Sequence, residues 1–159
     1  MSYAYAAKRA IRSKMAEGAG QVKPAIPAAT WVTCPFPAKW FDSGHTTFNS
    51  LGQWKFTAPE GCYIWITATV YISKLLNAAW TDGNILYLTV YKNGVSTGAQ
   101  TKWIAPSAAA YQFSLSVTDL VECQEDDYIE IKIYSTTDAA QFIPSGPTGP
   151  SMDVNLVRV

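Results

Sequence analysis

"FTAPEGCYIWITATVYI", residues 56–72, is the stretch that decides the fold. After Pro59-Glu60-Gly61 the side chains alternate between two sets. One set is Cys62, Ile64, Ile66, Ala68, Val70 and Ile72; the other is Tyr63, Trp65, Thr67, Thr69 and Tyr71. Alternation at a period of two marks a β-strand, and the first set is an aliphatic core face. A strand whose other side met only water would show Lys, Glu, Asp or Asn there. This one shows aromatics and threonines, so its second face calls for a covering.

The same design recurs downstream. "NILYLTVYKNGVSTGAQ" (84–100) sets Leu86, Leu88 and Val90 against Tyr87, Thr89 and Tyr91, and its Asn93-Gly94 is a strong hairpin signal. "YQFSLSV" (111–117) and "YIEIKIY" (128–134) alternate as well, and "MDVNLVRV" (152–159) reads as a closing strand. About eight to ten short strands parted by Gly, Pro, Asn and Asp turns predict an all-β chain, a jelly-roll sandwich of two antiparallel sheets. Two strands with uncharged outer faces would present Tyr63, Trp65, Tyr71, Tyr87 and Tyr91 as one patch. Aromatic enrichment of that kind characterises interface cores, and identical copies are the commonest partners. Those five residues are the expected subunit interface.

Composition narrows the function. Apolar residues make up 48% of the 159 and charged residues only 15%, against a usual quarter, so more surface than normal is weakly hydrated or covered. The net charge of zero argues against general affinity for nucleic acid or anionic membrane. No stretch approaches the roughly 20 apolar residues of a membrane span, and no apolar run follows the first basic residues as in a secretory signal. Cys34, Cys62 and Cys123 show no metal-type spacing and read as buried free thiols.

The charge is unevenly placed. Residues 1–24 carry Lys8, Arg9, Arg12, Lys14 and Lys23 against Glu17, a net +4, which leaves −4 on the remainder. Within residues 3–16, Ala4, Ala7, Ile11 and Met15 form a thin apolar stripe that predicts a short helix, stable only when docked. "QVKPAIPAATWVTCPFPAKW" (21–40), with Pro24, Pro27, Pro35 and Pro37, then predicts an extended arm. Residues 1–38 thus read as a basic, Pro-rich anchoring arm and 39–159 as the jelly roll. Lys8, Arg9, Ile11, Arg12 and Met15 are the expected docking residues for a scaffold protein. Stacking aromatics in the arm are limited to Tyr3 and Tyr5, so nucleic acid is not the expected partner.

Catalysis has little to stand on. His45 lies in "DSGHTTFN" beside Asp42 and Ser43, but neighbours in sequence rarely converge as a triad. No GxSxG, HExxH or phosphate loop is present, so no enzyme, catalytic residue or cofactor is expected. Glu122, Glu125, Asp126 and Asp127 could hold Ca²⁺, but EF-hand spacing and its glycine are missing, and a solvated turn is the expected reading. Trp80 and Trp103 could stack on sugar rings, but lone tryptophans in jelly rolls are more often core or interface residues.

Four of these stretches in order, "FTAPEGCY" (56–63), "VYKNG" (90–94), "LVECQEDDYIEIKIY" (120–134) and "DVNLVRV" (153–159), resemble the globular head domain of complement component subunit q and the related tumour necrosis factor domain. The resemblance covers residues 41–159. It implies a ten-stranded jelly roll that assembles as a tight trimer around an aromatic and aliphatic axis. The chain departs from the family at Asp126-Asp127, where Gly-Asp is usual, and at "MDVNL", where Phe-Ser-Gly-x-Leu is usual. Secreted animal members carry a signal peptide and collagen stalk; "GPTGPS" (146–151) is only two triplets. Heads of this type also occur on bacteriophage particles as decoration proteins and fibre tips, and a basic arm before a jelly roll resembles that use. The expectation is a non-enzymatic homotrimeric virion structural protein, a capsid decoration protein or a head or tail appendage, made in the host cytoplasm. The alternative is a fibre head that binds a host surface receptor or glycan.

Overall fold

The alternation of residues 62–72 is carried through side chain by side chain in the computed structural model: Ile64, Ile66, Ala68, Val70 and Ile72 are buried, and Tyr63, Trp65, Thr67, Thr69 and Tyr71 are not. The structure describes residues 11–14, 25–34, 38–41, 46–48, 54–58, 60–74, 78–106, 112–142 and 151–157. Among these, thirteen strands run in chain order: β1 Ile11–Lys14, β2 Ala25–Ile26, β3 Val32–Thr33, β4 Ala38–Phe41, β5 Thr46–Phe48, β6 Trp54–Thr57, β7 Cys62–Lys74, β8 Ile85–Lys92, β9 Val95–Ile104, β10 Gln112–Cys123, β11 Tyr128–Ser135, β12 Ala140–Phe142 and β13 Ser151–Val157.

They form two antiparallel sheets. In the first, β10 lies along one edge of β7; β13 and then β12 lie along the other, β1 and β4 continue beyond β13, and β2 continues beyond β12. In the second the order is β9, β8, β11, with β3 and β6 on the far edge of β11 and β5 beyond β6. The core is the seam between the sheets. Leu86, Leu88 and Val90 of β8 and Ile129, Ile131 and Ile133 of β11 are buried with the inward residues of β7, and Phe56, Phe142 and Ile26 fill its ends. Burying each such side chain contributes about 1.5–3 kcal/mol.

Part of the stretch before residue 39, read from the sequence as an arm, pairs with both sheets. Residues 25–34 are part of the sandwich: β2 pairs with β12 in the first sheet, Ala28 bridges to Ser135, and β3 pairs with β11 in the second. The Ala29 N–H donates to the Ser135 carbonyl (2.7 Å) and the Cys34 N–H to the Ile131 carbonyl (2.7 Å), while Ile26 and Cys34 are fully buried. The physical reason is that β11 and β12 each leave an edge of N–H and C=O groups unpaired, and this segment satisfies both. Of the stretch read as a helix, residues 11–14 are a strand held between β13 and β4; the rest lies outside the described residues. Two ladders outcompete a short helix that is marginal in water.

Candidate functional site

β7 and β10 build the outer face of the first sheet. Their register sets Glu122 opposite Tyr63, Leu120 opposite Trp65, Thr118 opposite Thr67, Ser116 opposite Thr69 and Ser114 opposite Tyr71. The Thr67 and Thr118 hydroxyls are hydrogen-bonded at 3.2 Å and those of Thr69 and Ser116 at 2.7 Å, so the polar groups of this face are largely satisfied within it. Trp65 and Leu120, side by side, are 44% and 49% exposed. From residue 65 to residue 71 on β7, and from 114 to 120 on β10, no outward side chain is charged. β13 covers the other edge of β7, with Asn155 opposite Trp65 and Val157 opposite Tyr63.

At the rim of this face lies an open cleft of about 380 Å³ between β9 and β10, lined by Lys92, Val95, Thr97, Asp119, Leu120 and Glu122. Here the two sheets are clasped: the Thr97 hydroxyl donates to Asp119 Oδ2 (2.6 Å) and the Thr101 hydroxyl to the Ser116 carbonyl. Exposed Val95 and Leu120 carry the apolar centre of the face around this edge.

The structure does not bring the five expected interface residues together. Tyr63, Trp65 and Tyr71 lie on the first sheet, whereas Tyr87 and Tyr91 lie on the second, so the single patch is divided between opposite sides of the sandwich. On the second sheet Tyr87 pairs with Tyr134, and Trp31 packs between Tyr91 (ring centroids 5.5 Å) and Tyr134 (5.1 Å). Lysines lie over three of the tyrosines: Lys55 over Tyr128 at 3.6 Å, Lys132 over Tyr91 at 4.7 Å and Lys102 over Tyr87 at 5.9 Å. This face is basic and aromatic; the first is uncharged only along the outward positions of residues 65–71 of β7 and 114–120 of β10.

Of the expected docking residues, Ile11 and Arg12 are ladder positions of β1, opposite Val154 and Asp153 of β13, and not part of a free arm. Lys8, Arg9 and Met15 lie outside the described residues, as do Asp42, Ser43 and His45. Trp80 is a core residue and not a sugar platform: it is 3% exposed and packs edge-on to half-buried Trp103 at 5.6 Å. The tryptophan that does face outward there is Trp31, 40% exposed; the only sign of it in sequence is its place just before the strand pair Val32-Thr33.

The acidic turn is a hydrogen-bonded clasp. Asp127 takes Lys92 Nζ (2.7 Å), the Gln124 N–H (2.8 Å) and Asn93 Nδ2 (2.6 Å), which together hold its carboxyl down at about 2. Among the described residues no three His, Cys, Asp or Glu side chains converge as metal ligands. Cys34, Cys62 and Cys123 are buried; burial pushes Cys123 up to about 11 and Cys34 well above its ordinary value. The thiols of Cys34 and Cys123 are not activated nucleophiles.

No protein-family model matches the chain, and no curated protein matches it. Among solved structures, the globular domain of zebrafish complement 1qA protein is similar to it with a TM-score of 0.58 and 11% sequence identity, over 94% of this chain and 98% of that one. The shared portion is larger than residues 39–159 could supply, as the strands at 11–14 and 25–34 require. The chain has the jelly-roll fold of that globular domain.

Proposed function

We propose that this chain is a non-enzymatic structural protein that works as a homotrimer, its copies meeting across the outer face of the first sheet. The observation that carries the reading is the Trp65–Leu120 pair, two large apolar side chains adjacent and exposed, with charge at the end of the face where Glu122 stands opposite Tyr63. Such a centre, rimmed by satisfied hydroxyls, has the composition of an interface core. Light scattering after size exclusion tests it. The full chain should have the mass of three copies, and Trp65→Glu, which places a charge at the centre, should have the mass of one. A monomeric parent chain overturns the reading.

The setting we infer is a virus particle, with the protein serving as capsid decoration or as a head or tail appendage. The net +4 of residues 1–24 ahead of a mildly acidic jelly roll supports this, because it gives each copy a basic segment for an acidic scaffold surface. Mass spectrometry of purified particles should find the chain in them; its confinement to the host soluble fraction overturns the setting. A second reading, a head that binds a surface receptor or glycan, is favoured by the basic aromatic face around Trp31.

A further inference from the structure

We infer that the outer face of the second sheet binds an acidic sugar, a carboxylate-bearing pyranose stacked on Trp31 with its carboxylate favoured by the excess positive charge of Lys102 and Lys55. This rests on the second reading above and names the ligand class for it.

The platform is fixed before any ligand arrives. Trp31 is flanked in sequence by two anchored backbone groups, the Ala29 and Cys34 N–H groups, each bonded to β11. Its ring is braced by Tyr91 at an interplanar angle of 64° and by Tyr134 at 39°, and Tyr134 leans in turn on Tyr87 at 6.3 Å. Thr89, on the same side of β8 between Tyr87 and Tyr91, is 2% exposed, and its buried hydroxyl has no hydrogen-bond partner. An exposed indole held this firmly loses little freedom on binding, and a flat apolar ring beside polar groups suits the C–H face of a sugar.

The charge around the platform sets the ligand's sign. Lys55, Lys102 and Lys132 lie over rings of this face, against one carboxylate, Glu130. Glu130 accepts from Lys132 Nζ at 3.2 Å and from the Thr33 hydroxyl at 3.4 Å, so the Lys132–Glu130 pair carries no net charge. Among the described residues, Lys55 and Lys102 have no carboxylate partner. An anion is therefore favoured over a neutral sugar by local excess of positive charge. Single-stranded nucleic acid shares that charge preference, but it needs successive open rings for its bases. Here, among the described residues, lysines lie over Tyr87, Tyr91 and Tyr128, and Trp31 is the large apolar ring that stays exposed, which fits one pyranose.

The experiment is calorimetric titration of the full chain with a glucuronate-containing tetrasaccharide, with the same oligosaccharide after carboxyl reduction, and with oligo-dT. The acidic sugar should bind at least about ten-fold tighter than its reduced form, a difference of about 1.4 kcal/mol. Trp31→Ala should abolish binding of both sugars. Lys102→Gln, at an exposed position that leaves the fold intact, should weaken the acidic sugar toward the reduced one without altering the latter. Equal, Trp31-dependent binding of the two sugars overturns the acidic inference and leaves the glycan reading standing. Binding of oligo-dT alone, or of none of the three, overturns both.

Discussion

Asn84, 1% exposed, joins the loop before β8 to the turn after β11. Its Oδ1 accepts from the Thr136 hydroxyl (3.0 Å), from the N–H and hydroxyl of Thr137 (both 2.9 Å) and from the Asp138 N–H (3.2 Å), while Nδ2 donates to Ser135 Oγ (3.2 Å). Asp138 extends the network, accepting from the Thr81 N–H and hydroxyl and pairing with Lys74 at 3.0 Å. Asn84→Ala strips several buried donors of their acceptor at once. It should cost about 2–4 kcal/mol in urea unfolding, and a loss below about 1 kcal/mol would show that the donors find other partners. Nothing in "TDGN" distinguishes this residue from an ordinary turn asparagine. Trp80 and Trp31 make the same point: whether a single tryptophan is covered depends on which strands cross it, and local sequence carries no record of that.

Two turns meet at the Lys92–Asp127 pair, the β8–β9 hairpin and the β10–β11 connection. Asn93 (φ 51°) and Gly94 (φ 79°) take the left-handed conformations of a tight hairpin. Asn93 then reaches across: its N–H donates to the Tyr128 carbonyl (2.9 Å) and its Oδ1 accepts from the Tyr128 N–H (2.9 Å). The Asp127 carboxyl sits at about 2 rather than 3.8 chiefly through its bond from Lys92, then those from Gln124 and Asn93. A depressed carboxyl stabilises the fold above its ordinary value and loses that contribution as pH falls toward its folded one. Stability should therefore fall between pH 4 and pH 2, and Asp127→Asn should flatten that part of the curve while lowering stability at neutral pH. An unchanged acid limb in the variant would remove Asp127 as the cause. At this scale the long strands were legible: β7, β8 and β11 each hold three or more full alternations. β2 and β3, two residues each, hold one, and proline and alanine around them mask even that. Such strands exist because a partner's edge needs them, which is information held 100 residues away.

Sheet membership belongs to the whole molecule. Residues 62–72 and 85–91 share one pattern, and the pattern shows which face of each is core; it cannot show that the two strands lie in opposite sheets. That is settled by β7 pairing with β10 and β13, and β8 with β9 and β11. The divided patch gives the sandwich two unlike sides, one with an apolar centre at Trp65 and Leu120 and one basic. The strap at 25–34 is the other feature that only the assembled molecule reveals. A chain beginning at residue 39 lacks Ile26 and Cys34 from the core and leaves the edges of β11 and β12 bare. It should lose the cooperative thermal transition of the full chain, followed by near-ultraviolet circular dichroism; a transition of equal sharpness and midpoint would make the strap dispensable.

The pairing of β1 with β13 and of residues 25–34 with β11 and β12 also imposes an order in time. During synthesis at roughly 5–20 residues per second, the strap waits several seconds for its partners at 128–142, and β1 waits longer for 151–157. A nascent chain therefore carries open strand edges until residues 128–157 have emerged. Slow elongation between the strap and those strands would lengthen that exposure, and the yield of soluble protein would register it before any property of the finished fold did.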